Sequence, residues 1–582
     1  MIFVGTFLLH APLLQLPYFW DEAGYYVPAA RDILLNGSLI PHTTPSNAHP
    51  PLVMAWVALW WKVAGYAPAV TRSAMLVVAA FSLLGIFRLG QRVANTEVAV
   101  GATALTALYP VFFAQSSLLH VDLAAAGLTL WGLTAYLEDR PLTMASWFAL
   151  AVLAKETAIL APLALAGWEM LRRVLQNHAG TAARGCPVEQ SSAAGSNGEA
   201  PSSALPVRMA ALLAPTVLLG LWYAYHYARK GYVFGNPEFF RYNVAATLSP
   251  LRFVLALLLR LWQALGYLHL WLLTGAMVFA VRLAPVSDGG IERRRIAIPV
   301  QIVFLVIVAA YITALALIGG AVLARYMLTV IPLVIVVAVS TLRRRLRSWL
   351  YAVAVIGLAF IAAWFWNPAY GFSPEDNLAY RDFIVLHQDA ERFLEARYPM
   401  ARVLTAWPAS GELTSPWLGY ITRPMKVMQI ENFSVDEVLS AAEVRDKYEV
   451  ALVFSTKYDP PHPLLQRWSW WQEMKRRYFD YHVDLPPEAV ARILGGKIVY
   501  AQEKQGEWVA VIEMERNEIQ EAEVVNGSTD RSKSNAWVLR RARARLRMTN
   551  GQILFPHQVA GVSFDHQPHF TPRRELQRIA GG

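Results

Sequence analysis

The sequence predicts an α-helical polytopic membrane protein, with about eleven transmembrane helices and a small α/β domain on its C-terminal side. Three observations predict it. Of 582 residues, 55% are hydrophobic and only 16% are charged, and the apolar residues gather in runs close to the roughly 20 needed to cross a bilayer. Arg clusters stand at the ends of those runs, at 88–92, 172–173, 293–295 and 343–347. Beyond Asn367 the chain takes on the composition of a soluble domain. The first pattern excludes an ordinary soluble enzyme. A net charge of +10 would suggest nucleic acid in a soluble chain, but Arg at span ends is what cytoplasmic anchoring requires, so no nucleic-acid partner is expected. With a single cysteine, Cys186, the chain cannot form an internal disulfide, and any domain outside the membrane is held by its own core.

The spans follow in order. Met1 to Pro17 lacks a Lys/Arg start region and a small-residue cleavage site, so it reads as a retained first span, short for a crossing, with a frayed or truncated start. A loop from 18 to 68 follows. Within it, Pro51 to Tyr66 is apolar and carries Trp56, Trp60 and Trp61. Counting it as a span would invert the sidedness of every later Arg cluster, so it is placed in the interface as a juxtamembrane helix. Apolar runs at 69–88, 97–114 and 119–137 are single spans. The run 142–171 is interrupted by Lys155 and Glu156 and reads as two short helices meeting outside. Spans at 208–227, 251–281, 297–319, 321–340 and 348–366 complete a membrane domain of residues 1–366.

This arrangement places every Arg cluster on one side. Residues 177–207, rich in Ala, Ser and Gly, read as a disordered cytoplasmic linker. Residues 367–515 form the α/β domain, placed outside by the parity of the spans. It has a helix over 378–398 and strands at 402–406, 450–455, 497–501 and 508–513. Residues 516–582 read as a poorly ordered tail.

The ionisable groups least comfortable near a membrane share the outer side: Asp21, Glu22, His49, His120, Asp122, Lys155, Glu156 and Arg325, the last beside Tyr326. Such groups at membrane depth are costly, and their convergence on one face marks a candidate site. Each has a structural reading as well. Asp21 with Glu22 can cap a helix, and so can Asp122. Lys155 and Glu156 can neutralise each other, Arg325 can snorkel to headgroups, and His49 can be an ordinary loop histidine.

The segment Tyr18-Phe-Trp-Asp-Glu-Ala-Gly-Tyr-Tyr26, followed by His49-Pro-Pro-Leu52 and a Trp-rich helix, carries a resemblance that continues through Leu118-Leu-His-Val-Asp122, Ala154-Lys-Glu-Thr157 and Ala324-Arg-Tyr326. Over roughly residues 1–366 the chain resembles the family of protein O-mannosyltransferases and aminoarabinose (lipid A) transferases, within the GT-C class of glycosyltransferases. The resemblance implies a GT-C fold in the cell membrane, with the active site and the C-terminal domain extracytoplasmic. It implies transfer of a sugar from a polyprenyl-phosphate donor to an acceptor hydroxyl of a lipid, glycan or protein, with inversion. A carboxylate can take the hydroxyl proton, which makes Asp21 the candidate general base; Glu22 and Asp122 are grouped with it as catalytic acids. The lipid phosphate that leaves calls for fixed cations, the candidates being Lys155 and Arg325 with Tyr326 beside them, and Arg229, Lys230 and Arg241 as helpers. His49, His120 and Glu156 shape the acceptor site. The chain departs from the family where relatives often carry Arg before the second loop acid, since His120 and Val121 stand there. No structural zinc spacing of His and Cys occurs, so no cofactor is required and a divalent metal is allowed. The rival reading is a transporter or flippase of a lipid-linked or anionic substrate, against which stands the lack of an internal repeat.

Overall fold

The computed structural model describes residues 1–183, 204–233, 235, 249–318, 321–458, 460, 468–479 and 481–515. The tail at 516–582, the middle of the expected linker and Arg241 lie outside the described residues; at the linker's edges, residues up to Ala183 and from Ala204 are helical.

The chain begins with α1 (Ile2–His10) and passes through a long loop with α2 (Val27–Asn36) and α3 (Leu52–Ala64). The bundle follows as α4 (Pro68–Val93), α5 (Thr96–Leu108), α6 (Pro110–Ser117), α7 (Val121–Leu137), α8 (Pro141–Ala154), α9 (Leu160–Ala183) and α10 (Ala204–Lys230). After α11 (Pro250–Leu265) and α12 (Leu270–Val281), a hairpin of β1 (Ser287–Asp288) and β2 (Ile291–Glu292) leads to α13 (Ile298–Ile318), α14 (Ile331–Arg345) and α15 (Trp349–Phe365). Among the described residues, four helices are long and apolar enough to cross a membrane, or five if the bent pair α5–α6 counts as one span. The other apolar runs form shorter helices.

Three runs break, and each break has a local cause. The expected span 97–114 bends by 68° between α5 and α6, where Pro110 cannot donate to the preceding turn. The run 251–281 divides at Gly266 to His269, where Leu268 (φ 44°) and His269 (φ 68°) take left-handed backbone. Between α8 and α9 the backbone is extended at Lys155, at the expected interruption.

α7 packs tightly between α4 and α8. A Cβ at Gly127 would stand 1.9 Å from Ser82 Oγ of α4, and one at Gly132 would stand 2.7 Å from the Phe148 ring of α8. Small residues at such crossings let helices approach closely. On α11 the polarity is inverted relative to a soluble helix: Arg252 and Arg260 are buried while Leu251, Val254, Leu258 and Leu261 are exposed, as expected of a helix facing lipid.

The two ends of the bundle differ. At one end Arg343 pairs with Glu97, Arg344 lies 2.9 Å from Glu292, and Arg293 lies 2.7 Å from Asp288. Arg208 there reaches Asp139 (3.0 Å) and Glu169 (3.1 Å), and Arg172 shares Glu169. At the other end α3 lies along the first turns of α4, with Trp56 Nε1 donating to the Ala74 carbonyl (3.1 Å) and Trp61 Nε1 to Thr71 Oγ1 (2.8 Å). α3 therefore joins the long loop and does not continue the bundle.

The second domain comprises α16 (Ala379–Arg397), β3 (Arg402–Ala406), α17 (Ala409–Thr414), β4 (Lys426–Ile430), α18 (Val435–Ala442), β5 (Val450–Phe454), α19 (Ser469–Phe479), α20 (Pro487–Leu494), β6 (Gly496–Lys504) and β7 (Glu507–Met514). Its sheet runs β4-β3-β5-β7-β6, with β3 parallel to β4 and β5, and β7 antiparallel to β5 and β6. Every residue of β5 is buried. β4 was not expected from the sequence, because this short edge strand exposes Lys426 and Gln429 and offers little apolar pattern.

Because the Arg-rich end and the α3 end are opposite, cysteines placed at Asn36 and Ser287, both exposed, should react with an impermeant thiol reagent from opposite sides of the membrane. Labelling of both from one side would refute this arrangement of helices.

Candidate active site

The site is built where the first long loop, the starts of α7 and α9, the segment before α14 and the linker to the second domain meet. Trp20 takes left-handed backbone (φ 42°), unusual for a bulky residue. The chain then enters a wide helical turn, Glu22–Tyr26, with Asp21 at its start. The two acids of this pair take different environments. Asp21 is a third exposed, lines a cavity, and accepts a hydrogen bond from Arg325 Nη2 at 2.5 Å.

Glu22 is fully buried and faces away from the cavity. Arg72 of α4 clasps it bidentately (2.5 and 2.9 Å), and it also accepts from the backbone N–H groups of Phe19 (2.8 Å) and Leu119 (2.5 Å). Glu22, expected among the catalytic acids, is held by these bonds between the loop and α4 and does not line the cavity. The sequence reading did not include Arg72, which lies inside an apolar run; its position among apolar neighbours is itself the signal of a buried partner.

Arg325 is the centre of the cluster. Its guanidinium is bound by Asp21, by Glu375, and, through Nε at 3.4 Å, by Asp122; Nη1 also lies 3.2 Å from His120 Nδ1. Asp122, in the first turn of α7, accepts a hydrogen bond from Lys155 Nζ at 2.5 Å. The Lys155 ammonium sits 3.9 Å from the centre of the Tyr326 ring, a cation–π contact. Lys155 stands at the break between α8 and α9, where its backbone is extended, and its side chain is buried. His49 Nδ1 lies 3.0 Å from Glu156, so Glu156 pairs with His49 and does not neutralise Lys155 by itself.

Of the candidate residues, Asp21, His49, Lys155, Arg325 and Tyr326 line the cavity, whereas Glu22, His120, Asp122 and Glu156 do not. Arg229 and Lys230, at the end of α10, do not line it either.

Glu375 was not foreseen. It follows the last helix of the bundle as Asp21 follows the first, and the adjacent pair Glu375-Asp376 is the only signal the sequence offers for it. Burial raises its carboxyl above the ordinary range, with Arg325 pulling the other way and Asp21 adding to the rise. Three carboxyl groups, those of Asp21, Asp122 and Glu375, thus face two cations, Arg325 and Lys155. Asp21, His120 and Glu375 each bring a ligand atom within 4.8 Å of the others, but the Arg325 guanidinium bonds to both acids. A metal would fit there only with Arg325 displaced.

The second domain roofs the cavity, whose volume is 1760 Å³. Trp407 packs on Gly24 so closely that a Cβ there would lie 2.6 Å from its ring, and it meets Trp20 edge-on at 4.9 Å. Tyr420 donates to the Tyr18 carbonyl (3.0 Å), and Tyr66 donates to the Trp417 carbonyl (2.9 Å). Aromatic side chains stand above a floor carrying Lys155 and Arg325, and the carboxyl groups of Asp21, Glu375 and Glu431 also line the cavity.

This architecture, a helical bundle whose first long loop carries acids beneath a small mixed-sheet domain, is the GT-C fold. Two crystal structures of ArnT from Cupriavidus metallidurans share it: one in the apo state (13% identity, TM-score 0.51) and one bound to undecaprenyl phosphate (12% identity, TM-score 0.50). Each similarity covers 88% of this chain and 97% of that one. The archaeal oligosaccharyltransferase AglB from Archaeoglobus fulgidus is also similar (10% identity, TM-score 0.42, 88% of this chain and 73% of that one). No protein-family model matches the sequence, and no curated protein matches it.

Removing one partner of a buried ion pair leaves an uncompensated charge, at a cost of about 3–5 kcal/mol. Glu22→Gln and Arg72→Met should each lower the melting temperature in detergent sharply, whereas the double change Glu22→Leu/Arg72→Met should recover much of the loss. Single variants that melt like the parent would show that the pair does not hold the loop.

Proposed function

We propose that this protein is a glycosyltransferase that moves a sugar from a polyprenyl-phosphate donor to an acceptor hydroxyl on the extracytoplasmic face of the membrane, with Asp21 as general base. The observation that carries the proposal is the contrast in burial within the cluster: Asp21 is a third exposed to the cavity, while Glu22, Asp122 and Glu375 are buried and engaged. A hydroxyl is a poor nucleophile, and a carboxylate within hydrogen-bond reach takes its proton as attack begins. Arg325 Nη2 donates to Asp21 and holds its carboxylate in place at the cavity wall. The phosphate that leaves gains charge and needs cations already in place, a role for Lys155 and Arg325, with Tyr326 forming the wall beside them. Inversion follows from a single displacement. The ArnT structure with undecaprenyl phosphate supports a lipid-phosphate donor for this fold. The aromatic roof supports an acceptor with a sugar or peptide surface, and no required cofactor is proposed. Against a transporter or flippase stands the placing of the cavity at one end of the bundle, roofed by the second domain.

Asp21→Asn keeps the shape but cannot take a proton. Arg325 retains Glu375 and Asp122, so folding and donor binding should survive while transfer falls about 10²- to 10⁴-fold. Near-normal transfer by Asp21→Asn, measured with polyprenyl-phosphate sugar under conditions where chemistry limits the rate, would remove Asp21 as the base. Lys155→Met should raise the KM for the donor about 10- to 100-fold, the loss of a charge-assisted hydrogen bond of roughly 1.5–3 kcal/mol. An unchanged KM would place the phosphate elsewhere.

A further inference from the structure

A second cluster of ionisable side chains lies inside the soluble domain, apart from the cavity. His387 and Glu391 stand four residues apart on α16 and therefore share a face of that helix, and Glu412 of α17 packs against them. All three are at most 1% exposed. His387 Nδ1 lies 2.7 Å from Glu412 Oε2 and 4.0 Å from Glu391 Oε1, and one ligand atom from each residue falls within 4.8 Å of the others. The surroundings are apolar: the Phe383 ring stacks on His387 at 4.0 Å, and the Phe454 ring meets it at 4.5 Å.

Two carboxylates in such a place need compensation. Among the described residues, no Lys or Arg forms an ion pair with either of them, and both oxygens of Glu391, Glu412 Oε1 and His387 Nε2 are buried without a hydrogen-bond partner. A buried carboxylate lacking a cation is costly, and it is accommodated by a proton, by an ion pair or by metal coordination.

We propose that His387, Glu391 and Glu412 bind a divalent transition ion, with zinc as the preferred metal. One imidazole and two carboxylates supply a borderline donor set, and two negative charges cancel the ion's charge, leaving a neutral centre in an apolar pocket. In a tetrahedral zinc site, ligand atoms about 2.0–2.2 Å from the metal stand about 3.3 Å from one another. The observed 2.7 and 4.0 Å separations bracket that value. A carboxylate binding through both oxygens, or a water, completes four-coordination. The ion would be structural. It would clamp α16, which follows the Glu375 segment, to α17, whose Ser410, Gly411 and Thr414 line the cavity roof, and so fix the roof over the membrane domain. The site is independent of the transfer reaction and uses none of its residues.

The test is metal analysis of the full-length protein in detergent, purified with zinc and then dialysed. The parent and Asp21→Asn should each carry about one zinc per chain, and Glu391→Gln and His387→Ala less than a fifth of that. Chelation at raised temperature should lower the melting temperature of the parent to that of Glu391→Gln and leave the variant unchanged. Parent protein without zinc, or Glu391→Gln with its full complement, would overturn the assignment. So would a Glu391→Gln variant that melts at or above the parent, because a carboxyl pair sharing a proton is relieved by amide replacement. Should the variants fail to accumulate, zinc content and the chelation shift of the parent decide the question alone.

Discussion

The structure depends on the burial of one guanidinium. Arg325 is nearly inaccessible to solvent, and a guanidinium cannot shed its charge, so its donors must be met by acceptors brought from elsewhere in the chain. Asp21 comes from the first long loop, Asp122 from the start of α7, and Glu375 from the linker to the second domain. Four segments distant in sequence are held at one point because none of these charges can be left alone at low dielectric. The same contacts order the groups around the cavity floor.

A second buried pair works beside this one with a different result. Glu22–Arg72 satisfies both carboxylate oxygens, two backbone N–H groups, and the carbonyls of Pro17 and Ser117. It seals the loop against α4 and contributes nothing to the cavity surface. Adjacent residues of one acidic pair are thereby divided, one into the packing and the other toward the cavity. The division comes from the left-handed turn at Trp20 and the wide helical turn after it, which place consecutive side chains on different faces.

The second domain completes the site. The roof is aromatic and close-fitting: Trp407 lies on Gly24, and Phe383 meets Phe19 edge-on at 5.4 Å. Through Glu375 its linker also supplies a carboxyl group to the floor. A linker acid such as Glu375 gives no local hint in the sequence of the partner it will find.

The sequence determined the membrane character of residues 1–366, the single-sided gathering of Arg, the separateness of α3 from the bundle, the break at Lys155 and most of the second domain's sheet. These depend on composition, run length and short-range pattern, which a linear chain carries directly. It also marked Asp21, Asp122, Lys155 and Arg325 as polar groups in costly places. The tertiary structure alone decided their partners. Glu22 found Arg72, Glu156 found His49, and Arg325 found Glu375, pairs separated by 50 to 107 positions. Which charge compensates which depends on distances between segments after packing, and no local pattern encodes those distances. The bend at Pro110 and the left-handed residues at Leu268 and His269 were missed for a related reason: hydropathy counts apolar residues along a run and does not register a change of direction within it.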